Sequence, residues 1–298
     1  MTVPPTAATE SAAPVPTVPR TVVITGASDG IGAAAAHRLA EQGHHLLIVG
    51  RSPDKTAAVA RTTGAQPFVA DFARLDDVRR LAGELSEAAG PAGIDVLANN
   101  AGGIFGDRTP TADGFEITLQ VNPLAPFLLT NLLLPSLETD GCASVVTTSS
   151  RANRMAGRID LAELGRPRRA PALAVYAEAK LANVLMTRSL HQRFHARGLS
   201  SVAFHPGMVR SNFALGSSSL MRMLYASPLA PLVTITSEES AEVLSWLVTG
   251  TPGRTWTSGR YYELRRPTGR VNPQADDLAL ADALWRRSAE LVGLPDSP

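Results

Sequence analysis

The sequence predicts an α/β fold in which helices cover both faces of a doubly wound parallel sheet that forms a single domain. Three observations indicate this class. Short runs of β-branched and aliphatic residues recur from residue 21 onward, without strict alternation of polar and apolar positions. Each run is followed by an Ala-rich stretch with apolar residues at helical spacing. No fixed-period repeat is visible along the 298 residues, which favours one domain over two.

The β-branched runs predict six strands, at residues 21–25, 46–49, 66–70, 95–98, 143–147 and 201–204. Between them, the clearest helices are predicted at residues 31–42 and 75–89. Parallel strands joined through helices end at the same edge of the sheet, and this edge is where such folds bind ligands. The residues directly after each strand are therefore the candidates for a functional site.

Composition restricts the class of partner. The 28 Lys and Arg nearly balance the 27 Asp and Glu, so no nucleic-acid partner is expected. The single cysteine, Cys142, excludes an intramolecular disulfide framework and a cysteine-rich metal site, and it fits a reducing, cytoplasmic setting. No metal is expected at the six histidines, which form no ligand pattern with acidic residues. No run reaches the about eighteen apolar residues that an integral membrane helix needs.

Residues 1–19 are predicted to be a disordered tail that precedes the domain at residues 20–298. They contain five prolines, and Glu10 is their only charged residue. Such a segment buries too little apolar surface to offset the entropy of ordering it. It also lacks the basic start and the continuous apolar stretch of a secretory signal.

The first strand runs into a glycine-rich turn, Gly26-Ala-Ser-Asp-Gly-Ile-Gly32, which opens a helix. The pyrophosphate of a dinucleotide must approach main-chain N–H groups at a helix N-terminus, where a Cβ would obstruct it. Glycine also serves ordinary turns and caps, so the inference depends on the strand before and the helix after. Nucleotide contacts are expected from Gly26, Ser28, Asp29, Gly30, Ile31 and Gly32.

The second strand ends at Val49-Gly-Arg-Ser52, and no carboxylate follows until Asp54. An acidic side chain at this point would bind the ribose 2′-hydroxyl of NAD, whereas Arg51 can pair with the 2′-phosphate of NADP. The alternative is a solvated loop arginine. The sequence therefore predicts that NADP(H) is preferred over NAD(H).

Tyr176 and Lys180 lie four residues apart in a helical stretch that continues to about residue 195. This spacing places both on one helix face, where an ammonium stabilises a phenolate and makes tyrosine usable as a general acid or base. A surface pair is the alternative, because Tyr-x-x-x-Lys is common by chance. Upstream, Ser149 and Ser150 end a predicted strand, so a hydroxyl there could hold a substrate carbonyl oxygen.

Taken together, these residues resemble the short-chain dehydrogenase/reductase family. The matching motifs occur in the family's order and cover nearly all of residues 20–292. They are Thr25 to Gly32, Asp71 after the third strand, Asn99-Asn-Ala-Gly102, Val121-Asn122, Ser149-Ser150, Tyr176 to Lys180, and Pro206-Gly207. Stretches such as Thr111-Ala-Asp-Gly-Phe-Glu116 and His205-Pro-Gly-Met-Val-Arg-Ser211 look most like the retinol-dehydrogenase-like and WW-domain-oxidoreductase-like branch.

The resemblance implies a Rossmann fold and an NADP(H)-dependent oxidoreductase that transfers a hydride between the nicotinamide and a carbonyl or alcohol carbon. Tyr176 is then the general acid or base, Lys180 holds the nicotinamide ribose, and Ser150 rather than Ser149 binds the substrate oxygen. Asn122 is expected to hold a water that relays protons to Lys180. The further cofactor contacts that it implies are Asp71, Phe72, Asn99, Ala101, Gly102, Asn122, Tyr176, Lys180, Pro206, Gly207, Val209 and Ser211.

Three features bear on how far the resemblance extends. Asn122 precedes Pro123-Leu-Ala-Pro126 instead of the branch's usual His-Leu-Gly-His, and a proline inside a helix can displace the asparagine. Residues 212–235 correspond to the family's substrate cover, and their Met and Leu side chains favour an apolar carbonyl or alcohol, with core packing as the alternative. Members that act on retinoids often carry an N-terminal membrane anchor, whereas residues 1–19 are predicted to be a Pro-rich tail. Retinoid specificity is therefore not transferred to this chain.

Two other functions stay open at this point. A non-catalytic module that senses NADP(H) would bind the cofactor without turnover, although such regulators typically lose the tyrosine or the lysine. Sugar-nucleotide epimerases and dehydratases use the same pair, but with another glycine spacing and a larger C-terminal domain. The expected partner is a small-molecule carbonyl or alcohol. A homo-oligomer is also open, because the Tyr176 helix often forms part of a dimer interface in relatives.

Overall fold

The computed structural model describes residues 18–106, 110–138, 141–167, 170–207 and 236–295. Its centre is a sheet of eight strands, namely β1 (Thr21–Thr25), β2 (His45–Gly50), β3 (Gln66–Val69), β4 (Val96–Asn99), β5 (Ser144–Thr148), β6 (Ser200–His205), β7 (Arg260–Glu263) and β8 (Arg266–Pro267). Their order across the sheet is β3-β2-β1-β4-β5-β6-β7-β8. Strands β1 to β7 are parallel, and only β8 pairs antiparallel, with β7.

The order of the strands reverses between β1 and β4. From β1 the chain moves outward to β2 and β3, and it then returns to the other side of β1 and continues from β4 to β7. The ends of the central strands are aligned, because Thr25 pairs with Val49 and Asn99 with Thr147. In doubly wound sheets, the crevice at such a reversal, outside the carboxyl ends of the strands, is the ligand site.

Helices form one layer on each face of this sheet. They are α1 (Gly30–Glu41), α2 (Pro53–Thr63), α3 (Leu75–Ala89), α4 (Ile117–Leu119), α5 (Ala125–Leu132), α6 (Leu134–Leu137), α7 (Ala172–Phe194), α8 (Ser237–Thr249) and α9 (Leu278–Leu291). Helices α1 and α8 pack against one face of the sheet, and α3, α5, α7 and α9 pack against the other. The two layers give the strands apolar side chains on both faces, which explains the absence of strict alternation in their sequences.

Local sequence explains where these helices begin and which face they bury. Ser52 caps α2 and Pro53 occupies its first position, where the missing N–H has no cost. Thr236 and Glu239 form a reciprocal capping box at the start of α8. In α3, the buried residues recur at helical spacing along one face, at Leu75, Val78, Leu81, Ala82 and Leu85.

The predicted fold class is confirmed, and each of the six predicted strands is present to within about one residue at either end. Strands β7 and β8 were not predicted, since Arg260-Tyr-Tyr-Glu263 offers only two apolar residues between charges. Residues 1–17 and 208–235 lie outside the described residues, so the tail and the substrate cover stay predictions. In the described part of the chain, no helix combines the length and the apolar character needed to cross a bilayer.

Candidate active site

Tyr176 and Lys180 lie on one face of α7, at the carboxyl edge of the sheet. Both are buried, with 6% and 3% of their surfaces exposed. The Lys180 Nζ atom lies 5.4 Å from the centroid of the Tyr176 ring. The ring also belongs to a small apolar cluster with Ile104 and Ala152. The cation and the phenol therefore form a buried pair, and the alternative of a surface pair is wrong.

The side chain of Lys180 is hydrogen-bonded to the end of β5. Its Nζ donates a 3.0 Å hydrogen bond to the main-chain carbonyl of Thr148, which also accepts a 3.2 Å bond from the side chain of Asn183. Burial away from water disfavours the charged form, and it lowers the pKa of Lys180 to about 7. Near neutral pH the lysine is therefore divided between its ammonium and amine forms.

The two serines after β5 have different surroundings. Ser149 is fully enclosed, and its hydroxyl donates a 2.8 Å hydrogen bond to the carbonyl of Lys180. Ser150 is partly exposed, and its Oγ accepts a 3.2 Å bond from the N–H of Ala152 at the start of a short 3₁₀ turn. The Ser149 hydroxyl thus connects the end of β5 to α7, whereas Ser150 is more exposed and its hydroxyl retains its own proton to donate.

Asn153 holds this 3₁₀ turn in place and was missed by the sequence analysis. Its side chain is completely buried, and it donates a 2.6 Å hydrogen bond to the carbonyl of Ser150. Its Oδ1 accepts a 3.1 Å bond from the N–H of Asn272, in the C-terminal part of the chain. Asn153 therefore links the main chain at Ser150 to Asn272, which lies far away in sequence. No local motif indicates this link.

Asn122 lies in a π-helical turn, Gln120–Leu124, which includes Pro123. Because Pro123 has no N–H to donate to the carbonyl four residues before it, the α-helical pattern cannot continue through this point. The chain instead forms a wider turn, in which the N–H of Ala125 bonds the carbonyl of Gln120. The proline is thus accommodated by one π turn between α4 and α5, without breaking the helical course of the chain.

The side chain of Asn122 is fixed by three hydrogen bonds. Its Nδ2 donates to the carbonyls of Gly103 and Thr118, at 2.9 and 2.8 Å, and its Oδ1 accepts from the N–H of Gly103 at 3.2 Å. A Cβ added at Gly102 would lie 2.5 Å from the Asn122 Oδ1 and 3.3 Å from the Lys180 Nζ. Asn122 and Lys180 therefore both face the main chain at Gly102, so the structure brings the asparagine next to the lysine despite the two prolines.

The glycine-rich turn after β1 packs closely against the loop after β4. Gly26 has a φ of +68°, and a Cβ there would lie 2.8 Å from the Cα of Ala101. A Cβ at Gly32 would lie 2.3 Å from the carbonyl oxygen of Gly26, so only glycine lets α1 approach the strand this closely. Ile31 and Ser28 are half-buried on the same turn.

Asn100, which was not among the predicted site residues, connects these two loops. Its Nδ2 donates a 3.0 Å hydrogen bond to the carbonyl of Thr25, and its Oδ1 accepts a 3.3 Å bond from the hydroxyl of Thr148. The hydroxyl of Thr25 in turn accepts bonds from the N–H groups of Asn100 and Ala101, both at 3.0 Å. Asn100 thus joins the ends of β1, β4 and β5, and its only sequence signal is its place in the Asn-Asn-Ala-Gly motif.

Three predicted cofactor contacts have side chains that are buried or hydrogen-bonded within the protein. Asn99 is buried, and its amide donates a 2.9 Å bond to the Thr130 hydroxyl on α5, so its side chain does not face the crevice. The ring of Phe72 is buried in the core. The Oδ1 of Asp71 accepts a 3.0 Å bond from the N–H of Ala73 within its own turn.

The remaining predicted contacts are at the ends of β2 and β6. Arg51 is exposed directly after β2. The carbonyl of Pro206 accepts a 3.0 Å bond from the Ser240 hydroxyl, and Gly207 has a φ of +104°, which favours glycine. Val209 and Ser211 lie outside the described residues. Within the described ranges, no three His, Cys, Asp or Glu side chains gather into a group that could hold a metal ion.

This arrangement fits a dinucleotide. The Gly26–Gly32 turn brings main-chain N–H groups to the N-terminus of α1, where a pyrophosphate binds favourably. The Gly102 position would be filled by a Cβ, and its backbone lies against the Asn122 amide and the Lys180 ammonium. Lys180 uses one donor on Thr148, and an ammonium has three, so the described residues leave donors for ribose hydroxyls.

Comparison with known proteins decides the family. The family model described as short chain dehydrogenase matches residues 20–219. The chain belongs to the short-chain dehydrogenase/reductase family. A protein from Streptomyces sp. (strain C5), assigned as a daunorubicin C-13 ketoreductase, is 41% identical over 281 residues, which cover 92% of this chain and 93% of that protein.

Human relatives indicate the branch. Human retinol dehydrogenases 13 and 12 are 32% and 36% identical to the chain, over 93% and 92% of its length and 86% and 87% of their own. This short-chain dehydrogenase is therefore a member of the retinol-dehydrogenase-like branch, an oxidoreductase of carbonyl or alcohol groups that binds NAD(P).

Solved structures agree with this assignment. A crystal structure of an uncharacterized protein from Mycobacterium paratuberculosis has a TM-score of 0.73 and 33% identity, and the match covers 94% of this chain and 95% of that one. A short chain dehydrogenase from Shigella flexneri 2a, in complex with NADP, has a TM-score of 0.61 and 25% identity, with 83% and 97% covered. The Rossmann fold of this short-chain dehydrogenase is thus shared by a protein whose structure contains NADP.

Proposed function

We propose that the protein is an NADP(H)-dependent oxidoreductase that reduces a carbonyl or oxidises an alcohol, with Tyr176 as its general acid or base. The observation that carries this proposal is the buried pair on α7, in which the Lys180 Nζ lies 5.4 Å from the centre of the Tyr176 ring. A cation next to a phenol stabilises the phenolate, which is the form that accepts a proton from an alcohol.

Each residue of the proposed set has one task. When bound, the nicotinamide would supply or accept the hydride at the substrate carbon. Tyr176 would donate its hydroxyl proton to the carbonyl oxygen in reduction, and take it back in oxidation. Ser150 would donate a hydrogen bond to the same oxygen and so oppose the charge that develops there. Lys180, in its ammonium form, would bind the ribose hydroxyls and stabilise the phenolate.

Asn122 would complete the proton path. Both N–H donors of its amide bond the carbonyls of Gly103 and Thr118, and its Oδ1 already accepts from the N–H of Gly103. We therefore place the relay water at a main-chain group of the π turn. Pro126 has no N–H to donate to the main-chain carbonyl of Asn122, as an α-helical residue at that position would. This favours that carbonyl as the group that would hold the water beside Lys180.

NADP(H) preference is supported by the end of β2. Arg51 is exposed there, and no carboxylate follows before Asp54. A guanidinium at this position matches a phosphate and offers nothing specific to a ribose hydroxyl pair. The solved relative in complex with NADP is consistent with this choice.

The substrate is proposed to be an apolar small-molecule ketone or alcohol. One relative is named as a ketoreductase and others as retinol dehydrogenases, so both a ketone and an alcohol are named as substrates among related proteins. The Met and Leu side chains within residues 212–235 support an apolar substrate on sequence grounds. Self-association and a cytoplasmic location stay predictions.

The experiment is a screen of NADPH consumption by the purified protein against aromatic, aliphatic and steroid-like ketones, with NADP⁺ and the matching alcohols in reverse. Turnover of one class supports the proposal. Binding of NADPH without turnover of any compound would instead favour the sensing module. Tighter binding of NAD⁺ than of NADP⁺ would refute the cofactor preference.

A further inference from the structure

An acidic residue lies in the phosphate-binding turn of this protein. Asp29 is the N-cap of α1, and its Oδ1 accepts a 2.8 Å hydrogen bond from the N–H of Gly30. Its other carboxylate oxygen lies 2.9 Å from the Nζ of Lys55. The two side chains are 54% and 59% exposed, so the pair is open to solvent and to ligands.

The Asp29–Lys55 pair spans the gap between the first two strands. Asp29 follows β1, and Lys55 lies in the first turn of α2, four residues after Arg51 at the end of β2. The two strand ends are in direct contact, because a Cβ added at Gly50 would lie 2.7 Å from the Cβ of Ser28 and 3.0 Å from its Oγ. Ser28 and Asp29 thus lie beside the end of β2, which leads through Arg51 to Lys55, and the proposed 2′-phosphate would bind at this junction.

The carboxylate of Asp29 would oppose phosphate binding at this site unless Lys55 neutralised it. A carboxylate beside a phosphate repels it, and Asp29 alone would cancel much of the attraction that Arg51 provides. The ammonium of Lys55 neutralises the carboxylate. It also has three donors, of which one is used on Asp29, so it can bind a second anion at the same time.

The choice of cation at this position is unusual for the chain. Of its 28 basic residues, only two are lysines, Lys55 and Lys180. An arginine would pair with Asp29 through a rigid planar fork, whereas a lysine ammonium is a compact charge on a flexible stem that can serve two anions. A lysine at position 55 is therefore better suited than an arginine to bind Asp29 and a phosphate at the same time.

We propose that Lys55 is a second specificity-determining residue, which binds the 2′-phosphate of NADP(H) together with Arg51 and is held in position by Asp29. This inference rests on the proposed NADP(H) preference. Removing the charge should weaken NADP⁺ binding about tenfold, the usual effect of losing one charge-assisted contact, and should leave NAD⁺ binding unchanged.

The test is the dissociation constant of NADP⁺ and of NAD⁺, measured by calorimetry for wild type and for Lys55→Met. Arg61→Met is the matched control, because Arg61 is an exposed cation in the last turn of the same helix. The expected result is a loss of NADP⁺ affinity in Lys55→Met alone. If wild type prefers NADP⁺ and Lys55→Met binds it equally well, the role of Lys55 is overturned while the cofactor preference stands. If wild type prefers NAD⁺, both are overturned.

Asp29→Asn separates direct binding from simple neutralisation, since asparagine keeps an oxygen for the N-cap and removes the charge. If Lys55 binds the phosphate, Lys55→Met weakens NADP⁺ binding in the Asp29→Asn background as well. If Lys55 only neutralises Asp29, the effect disappears in that background, and the proposed contact is wrong.

The small number of lysines permits a direct readout without turnover. Reductive methylation with ¹³C-formaldehyde labels lysines and keeps their charge, and Lys55 is the exposed one of the two. Its methyl resonance, identified by its loss in Lys55→Met, should shift on addition of 2′,5′-ADP and not of 5′-AMP. Equal shifts with both nucleotides would contradict a contact with the 2′-phosphate.

Discussion

The ammonium of Lys180 donates a 3.0 Å hydrogen bond to the main-chain carbonyl of Thr148, at the end of the strand that leads into the two serines. The carbonyl is part of the sheet, so the position of the cation is set by β5 as well as by its own helix. The bond compensates only part of the cost of burial, and the pKa of Lys180 falls to about 7. A proton at this site is therefore gained or lost close to neutral pH.

Binding of NADP⁺ is expected to take up a proton near neutral pH. The ribose hydroxyls accept from the ammonium form of Lys180, while the free protein at pH 7 holds this form in only about half of its molecules, given a pKa of about 7. Affinity should therefore decrease as the pH rises above 7. Calorimetry in two buffers of different ionisation enthalpy measures the uptake. Lys180→Met is the control and should show none, and equal heats for wild type in both buffers would contradict the role.

Tyr176→Phe should retain cofactor binding and lose turnover. The substitution removes only the hydroxyl, and the ring keeps its contacts with Ile104 and Ala152. Loss of a general acid or base typically lowers the rate by about 10²–10⁴-fold. The measurement pairs kcat on the best substrate of the screen with the dissociation constant of NADPH, which should change by less than about threefold, or 0.7 kcal/mol. Retention of most activity would show that the assignment of Tyr176 is wrong.

Alanine at Ser150 should lower the rate and alanine at Ser149 the stability, although the residues are adjacent. Ser150→Ala removes the proposed donor to the substrate oxygen, and kcat should fall about 10²-fold, as for other oxyanion donors. Ser149→Ala removes the buried bond to the Lys180 carbonyl, and should cost about 1 kcal/mol in the free energy of unfolding. Steady-state kinetics and urea unfolding of both variants test this, and a larger kinetic loss in Ser149→Ala would reverse the two roles.

What could be predicted from the sequence was whatever depends on neighbours along the chain. Tyr176 and Lys180 share a helix face because of their spacing, and Ser149 and Ser150 follow a recognisable strand. Asn100 could not be found in this way, because its bonds to Thr25 and Thr148 exist only once β1, β4 and β5 lie side by side.

Neither the direction of a buried side chain nor the effect of a proline on its helix could be predicted from the sequence. Asn99 was predicted to contact the cofactor, yet its amide faces Thr130 on α5, a direction that depends on which helix covers that face of β4. Pro123 and Pro126 indicated a disturbed helix near Asn122. The two prolines alone do not tell whether the helix breaks or widens, and the observed π turn keeps Asn122 against Gly103.

His205 should make the protein less stable in mild acid. The residue is 4% exposed at the end of β6, and neither ring nitrogen has a hydrogen-bond partner in the described structure. Burial, followed by the nearby charges of Arg151 and Arg154, lowers its pKa to about 4. The unfolded chain binds a proton near pH 6.5 and the native protein does not, so stability decreases as the pH falls from 6.5 towards 4.

The size of this effect can be isolated by substitution. For pKa values of 6.5 and about 4, His205 should account for about 2 kcal/mol of the stability lost between pH 7.5 and pH 5. His205→Gln, which does not titrate, should lose correspondingly less than wild type in urea unfolding at the two pH values. His45→Gln removes an exposed imidazole and serves as the matched control, with the wild-type loss expected. An equal loss in wild type and His205→Gln would mean that the buried imidazole is already protonated in the native protein at pH 5.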